Sequence, residues 1–199
     1  MLFILLLPLL SHASFVPSSF SSHYEETMTS TVTGKEIKTT GKIDYKYPSH
    51  LRLEVLKPEP STVVVNDRKT WIYQPPFIDG EKGQVTIQKG SDWPLLKAFD
   101  SFKTGLEGSK LFTHKYQGND LIITFNKDSQ KDAGIQEVIF HAKKNAKEVK
   151  SLNEFEQMTL VKADGKKQNY KFTDLKENVA FRPSNFEFTT PANTKVINN

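Results

Sequence analysis

Residues 41–55 read Gly41-Lys-Ile43-Asp-Tyr45-Lys-Tyr47-Pro48-Ser-His-Leu51-Arg-Leu53-Glu-Val55, and this stretch decides the fold class. Ile43, Tyr45 and Tyr47 alternate with Lys42, Asp44 and Lys46, and Leu51, Leu53 and Val55 alternate with Arg52 and Glu54. Successive side chains of a strand point to opposite faces of a sheet, so a period of two predicts strands with one apolar and one wet face. The same reading extends along the chain. Val63 and Val65 flank Val64, Trp71 and Tyr73 flank Ile72, and Val85 and Ile87 alternate with Thr86 and Gln88. Leu121, Ile123 and Phe125 form another set. Ile135–Phe140, Glu154–Val161, Asn169–Thr173 and Asn185–Phe188 complete the predicted strands.

Turn residues separate these runs: Asn66-Asp67, Asp79-Gly80, Gly118-Asn119-Asp120 and Asp164-Gly165. Hairpin turns favour Asn, Asp and Gly because they need positive or near-positive φ. Short strands joined by short polar turns predict a mainly β protein, an antiparallel sheet closed or nearly closed on itself. One helix interrupts the pattern. Ser91 or Asp92 is the expected N-cap and Pro94 falls in the first turn. Leu95, Phe99 and Phe102 share one face that Leu96 widens, and Gly105 is the expected stop, giving a helix over about 93–104. It is either ordinary core or a cover over the sheet's apolar face.

The 199 residues suit one domain with a sizeable core. Charge of both signs is interspersed and sums to only +4, too little and too scattered for nucleic acid. Absence of cysteine removes disulfides, thiolate catalysis and thiolate-ligated metals. Met1–Leu10 is apolar throughout and is followed by Ser11-His12-Ala13, so residues 1–13 read as a secretory signal peptide and 14–199 as one exported domain. The apolar run is shorter than the roughly 20 residues a membrane-spanning helix needs.

No catalytic or metal-binding motif is present. His12, His23, His50, His114 and His141 show no i,i+4 metal spacing, and no nucleophile elbow or phosphate-binding glycine loop occurs. The expectation is a protein that is not an enzyme and uses no cofactor or metal. Lys143, Lys144, Lys147 and Lys150 form a basic run, read as a charged hairpin tip or a docking patch. What remains is an excess of large apolar groups on one sheet face. A wide curved sheet either fills its interior with side chains or keeps a ligand cavity, and periodicity does not separate the two.

Three motifs in order carry a resemblance. Gly41-x5-Tyr47-Pro48-x3-Arg52-x5-Pro58, then Ser61–Pro75 with Trp71-Ile72-Tyr73, then Asn185-Phe-Glu-Phe-Thr-Thr-Pro191 with Val196 are similar to the early strands, the aromatic strand and the closing segment of the LolA family of lipoprotein carriers. Ser19-Phe20 and Tyr24 sit where the family has S-F-x-x-x-F, so the resemblance covers about residues 18–197. It implies an incomplete antiparallel β-barrel, a half-barrel sheet, with a helical lid over its concave apolar face. It also implies a periplasmic monomer that takes lipoproteins by their acyl chains from an inner-membrane ABC transporter and hands them to an outer-membrane acceptor. By register, Leu51, Leu53, Val55 and Val63 are expected in the cavity, with Ile43 and Tyr45 on the same face, Trp71 and Tyr73 adjacent, and Leu95, Phe99 and Phe102 contributed by the lid.

Two departures stand out. Tyr47 occupies the position of the family's Arg before Pro, which ties lid to barrel. Arg52 follows one strand turn later but alternation aims it at the other face, so these two are the candidate gate. The family's first lid helix falls over residues 5–17, largely within the apolar run. The alternatives are a binder of another amphiphile, such as a glycolipid or phospholipid, or an enzyme or structural envelope protein on the same sheet.

Overall fold

The structure, a computed structural model, describes residues 15–103, 105–149 and 151–199. The signal-peptide reading of residues 1–13, with His12, therefore lies outside the described residues. So do most of the family's first lid helix and Thr104 and Lys150.

The alternating segments form strands: β1 Ser19–Thr29, β2 Glu36–Lys46, β3 His50–Lys57, β4 Ser61–Val65, β5 Lys69–Gln74 and β6 Gly83–Lys89. The helix α1, Pro94–Phe102, leads to β7 Phe112–Gln117 and β8 Asp120–Phe125. A second helix, α2 at Lys127–Ala133, precedes β9 Ile135–Ala142, β10 Phe155–Lys162, β11 Lys167–Glu177 and β12 Thr194–Asn198. All twelve strands join one sheet in the order β12-β6-β5-β4-β3-β2-β1-β11-β10-β9-β8-β7. The ends of the sheet, β12 and β7, do not pair with each other, so the barrel is incomplete, as expected. One departure from a purely antiparallel sheet is the edge, where β12 runs parallel to β6.

Register fixes which side chains share a face. Tyr45 pairs with Leu51 and Ile43 with Leu53 across β2 and β3; Leu51 pairs with Val65 and Leu53 with Val63 across β3 and β4. These residues and Phe20 and Tyr24 of β1 belong to one buried cluster that includes Leu95, Leu96, Phe99 and Phe102 of α1. That face is the inner one, and α1 lies against it. Phe99 meets Phe20 and Tyr45 at ring-centroid distances of 5.2 and 5.3 Å. Phe102 meets Phe140 of β9 at 5.7 Å. Burying the four large side chains of α1 contributes on the order of 10 kcal/mol, which is what holds so short a helix.

Three local details differ from expectation. The N-cap of α1 is Trp93, with no side-chain cap, and neither Ser91 nor Asp92 fills that role; Pro94 occupies the first turn as expected. Helix α2 carries its signals at its ends, the Asn126 side chain accepting from the Ser129 N–H and Gly134 closing in the left-handed region at φ 67°. It has no apolar stripe, so it leaves no trace in hydrophobic periodicity. The predicted strand Asn185–Phe188 is not a strand: a short 3-10 turn at Pro183–Phe186 runs into extended chain that joins no ladder. Phe186 and Phe188 serve to cover the outer face of β3–β5: Phe186 packs on His50 and Phe188 on Tyr73.

Candidate functional site

Beside the start of α1, the inner face is not filled. A cavity of about 400 Å³ opens there between β1, β3–β5 and the β10–β11 hairpin. Its apolar wall is Leu53, Val55, Val63, Ile72, Trp93 and Leu95. Four of these, Leu53, Val55, Val63 and Leu95, were expected on sequence grounds. Ile72 was not, because the register Val63↔Ile72 and Val64↔Trp71 sends Ile72 inward and Trp71 and Tyr73 outward. Trp71 and Tyr73 are thus corrected to the outer face, where Tyr73 contacts Phe188. Val63-Val64-Val65 is apolar at every position, and the outer face here is covered by the C-terminal segment. Alternation therefore carried no sign to tell one face from the other. Ile43, Tyr45, Leu51, Phe99 and Phe102 share the inner face but are fully buried in the aromatic core beside the cavity.

Gly41 shapes this wall. It stands opposite Tyr24 and Val55, and a Cβ there would meet the Glu54 carbonyl and come within 2.9 Å of the Tyr24 ring. The missing side chain lets the Tyr24 ring lie flat against the sheet at the cavity floor.

The cavity also has polar lining. The Glu26 carboxylate accepts from Gln168 Nε2 at 2.6 Å and from the Tyr170 hydroxyl, and Lys162 lines the same space. Burial pushes the Glu26 carboxyl above its ordinary value, with Tyr170, Gln168 and Lys162 pulling the other way. Burial also raises the hydroxyls of Tyr24 and Tyr170, so both stay protonated donors. Glu26 was missed because β1 lacks an apolar alternation beyond Tyr24, though one more step of the same period places it inside.

The tie between lid and barrel differs from the expected one. Tyr47 is two-fifths exposed on a groove beside α1 and α2. Arg52 lies on the outer face, its Nε 2.7 Å from Glu54. The tie is made by Asp100 of α1. Its Oδ1 accepts from the Tyr45 hydroxyl at 2.8 Å and its Oδ2 from the Ser49 backbone N–H at 2.9 Å. Ser49 presents that N–H from the β2–β3 turn in the left-handed region, φ 62°, a conformation non-glycine residues adopt at a cost. Burial raises the Asp100 carboxyl pKa, and the two hydrogen bonds and nearby His50 oppose the rise. The sequence signal was present: Asp100 lies four residues after buried Leu96, on the side of the helix that packs inward. A second link joins the two helices, Lys97 Nζ reaching Asp92 at 2.9 Å and Asp132 at 3.3 Å.

Elsewhere the described residues offer little chemistry. No group of three potential ligands could hold a metal among them. His141 Nδ1 lies 2.8 Å from Asp120 and Nε2 3.2 Å from Thr159 Oγ1, an acid–imidazole–hydroxyl row on the outer face. The Thr159 hydroxyl donates to Asn169 Oδ1 at 2.8 Å, so its proton is engaged across the β10–β11 ladder and the row reads as cross-strand bonding. A larger groove of about 750 Å³ lies where β10 and β11 part, but His141, Lys143, Lys144, Glu154 and Glu156 make it polar. Lys143 and Lys144 of the basic run pair there with Glu156 and Glu154. No helix among the described residues is long and apolar enough to cross a membrane.

An open sheet curled round a short amphipathic helix, with a cavity left between them, defines a half-barrel fold. Within it, the chain belongs to the LolA family: the family model described as outer membrane lipoprotein carrier protein LolA matches residues 17–189. The chain is 27% identical to an outer-membrane lipoprotein carrier protein of Dechloromonas aromatica, over 96% of this chain and 91% of the relative. It is 23% identical to the protein of the same name in Francisella tularensis subsp. novicida, over 90% and 81%. Among solved structures, an uncharacterized conserved protein from Thermus thermophilus is similar in fold, with a TM-score of 0.50 at 10% identity over 92% of this chain and 91% of the other.

Proposed function

We propose that this chain is a periplasmic carrier that encloses the acyl chains of lipoproteins, shuttling them from an inner-membrane ABC transporter to an outer-membrane acceptor. Membership of the LolA family supports the carrier role. On this reading residues 1–13 are the signal peptide, residues 14–199 a single carrier domain, and the working unit a monomer. The observation that carries it is the inner-face cavity walled by Leu53, Val55, Val63, Ile72 and Leu95 and bounded by a helix tied to the barrel through the Asp100 carboxylate.

The physics suits transport. Each methylene exposed to water costs about 0.8 kcal/mol, so a long acyl chain crosses an aqueous space only under cover. A methylene is about as large as a water molecule, about 30 Å³. A cavity of about 400 Å³ thus takes roughly a dozen methylenes, about one chain. More cargo requires α1 to leave the inner face. Leu95, Leu96, Phe99 and Phe102 then vacate an apolar bed that acyl chains occupy in turn. Burial of the incoming methylenes, at about 0.8 kcal/mol each, offsets the cost of exposing the α1 side chains, so loading and release stay near balance. That balance is what a carrier, as opposed to a store, needs.

Leu53→Glu tests the reading. A charge in the apolar wall is expected to abolish binding of the neutral apolar probe N-phenyl-1-naphthylamine and of acylated cargo, with the β-sheet circular dichroism spectrum retained. Unchanged binding in a folded Leu53→Glu variant would remove this cavity from the account.

A further inference from the structure

An acyl cavity needs only greasy walls, yet this one also holds a carboxylate and an ammonium. Glu26 and Lys162 both line it, together with the Leu53–Val63 wall. Glu26 is fixed, not free to swing into water, because Gln168 donates to it at 2.6 Å and the Tyr170 hydroxyl donates as well. A carboxylate offers about four lone-pair sites, so two donors leave capacity for a third. Lys162 brings donors and no acceptor. The two together match a group that gives one hydrogen bond and takes one at neighbouring atoms.

We propose that Glu26 and Lys162 form a headgroup site that selects amide-linked acyl chains over phosphodiester lipids. The inference rests on the reading that the cavity takes acyl chains. An N-acyl amide has its N–H beside its C=O at the root of the chain. Its N–H donates to Glu26 and its carbonyl accepts from Lys162 while the chain runs along Leu53, Val55 and Val63. A phosphodiester has acceptors and a negative charge. It satisfies Lys162 but sets its anion against Glu26, leaving the carboxylate without a new donor. The site therefore separates amphiphiles by what joins chain to headgroup, a distinction the apolar wall does not make. Amide-linked chains come from two sources, acylated peptide N-termini and free N-acyl amino acids, and the latter carry a carboxylate that Glu26 also repels.

The test is competition against N-phenyl-1-naphthylamine bound to the purified full-length exported protein. The competitors are N-palmitoyl-seryl-serine amide, N-palmitoylglycine and dipalmitoylphosphatidylglycerol below its aggregation threshold. The wild type is expected to bind the neutral acyl-peptide about tenfold more tightly than the phosphatidylglycerol, the worth of one charge-assisted hydrogen bond, with N-palmitoylglycine between them. Glu26→Gln, close in shape and still able to accept from Gln168, is expected to erase most of that ratio, read as the quotient of the two competitor affinities within each protein. Lys162→Met is expected to weaken the acyl-peptide and the phosphatidylglycerol together. Equal affinities in the wild type, or the same ratio in Glu26→Gln, with naphthylamine still bound, would overturn the headgroup site and leave the carrier reading intact. Failure of the wild type to bind naphthylamine or any acylated competitor would instead overturn the carrier reading and this inference with it.

Discussion

Asp100 is one carboxylate set between two phenylalanines, Phe99 and Phe102, and it decides how the lid is held. Its two oxygens take the Tyr45 hydroxyl and the Ser49 N–H. Hydrogen bonds to a charged group contribute about 1.5–3 kcal/mol each when buried. Tyr45→Phe is therefore expected to lower unfolding stability by about 2 kcal/mol. In a double-mutant cycle with Asp100→Ala the losses should fall short of additive, because both variants remove the same bond. Urea unfolding of the four proteins measures this. The pKa of Asp100 is raised above its ordinary 3.8 by burial, and that of Glu26 above its ordinary 4.5. Between each ordinary value and the raised folded one, the native state holds more protons than the unfolded chain. Stability therefore falls as pH rises through that window. Asp100→Asn should flatten part of this slope, seen as a smaller change in urea midpoint across the acid range, and Glu26→Gln the rest. Neither carboxylate stood out in the sequence. An acid one step off an apolar stripe reads as solvated until the strand or helix that buries it is placed, and β1 was not read as a strand at all. The family resemblance places the gate at Tyr47 and Arg52. The structure carries the same tie with a carboxylate on the helix and the donors on the barrel.

At the scale of elements, the β2–β3 hairpin and α1 were legible because each obeys one period without interference. Ile43, Tyr45, Leu51 and Leu53 alternate with charges, and Leu95, Phe99 and Phe102 recur at helical spacing. The β4–β6 region was not legible to the same degree. Both of its faces are covered, the inner by α1 and the outer by Phe186 and Phe188, so apolar residues occur on both and alternation loses its sign. The sequence pattern therefore points Trp71 and Tyr73 inward, whereas the register turns them outward and Ile72 inward. Gly41 marks the place where β2 yields to the cavity floor. Gly41→Val is expected to drive β2 away from the Glu54 carbonyl of β3 and to push the Tyr24 ring off the sheet, at a cost of about 3 kcal/mol or more. Reduced naphthylamine binding together with a lower melting temperature would show it. The lid's motion is open to a covalent test, since the chain has no cysteine of its own. Joining Ser49→Cys to Lys97→Cys with a short bismaleimide should hold α1 on the inner face and block uptake of acylated cargo. Cleaving a reducible version of the linker should restore it.

At the scale of the whole molecule, a twelve-stranded sheet curls around one helix without closing, and the space it keeps is apolar along its wall with Glu26 and Lys162 in its lining. Composition excluded thiol chemistry, and the lack of motifs argued against catalysis. Neither could say whether the interior was filled. It is both: an aromatic core around Phe99 and Phe102, and a cavity of about 400 Å³ beside Leu53. The central claim is that this cavity, once α1 moves, carries lipoproteins through water. The direct measurement is release of newly made lipoprotein from spheroplasts by the purified protein, followed by sizing of the soluble fraction. The account predicts lipoprotein in a soluble one-to-one complex with the wild type and none with Leu53→Glu. Lipoprotein that stays wholly on the spheroplasts, with a folded wild-type protein left empty in solution, would contradict it.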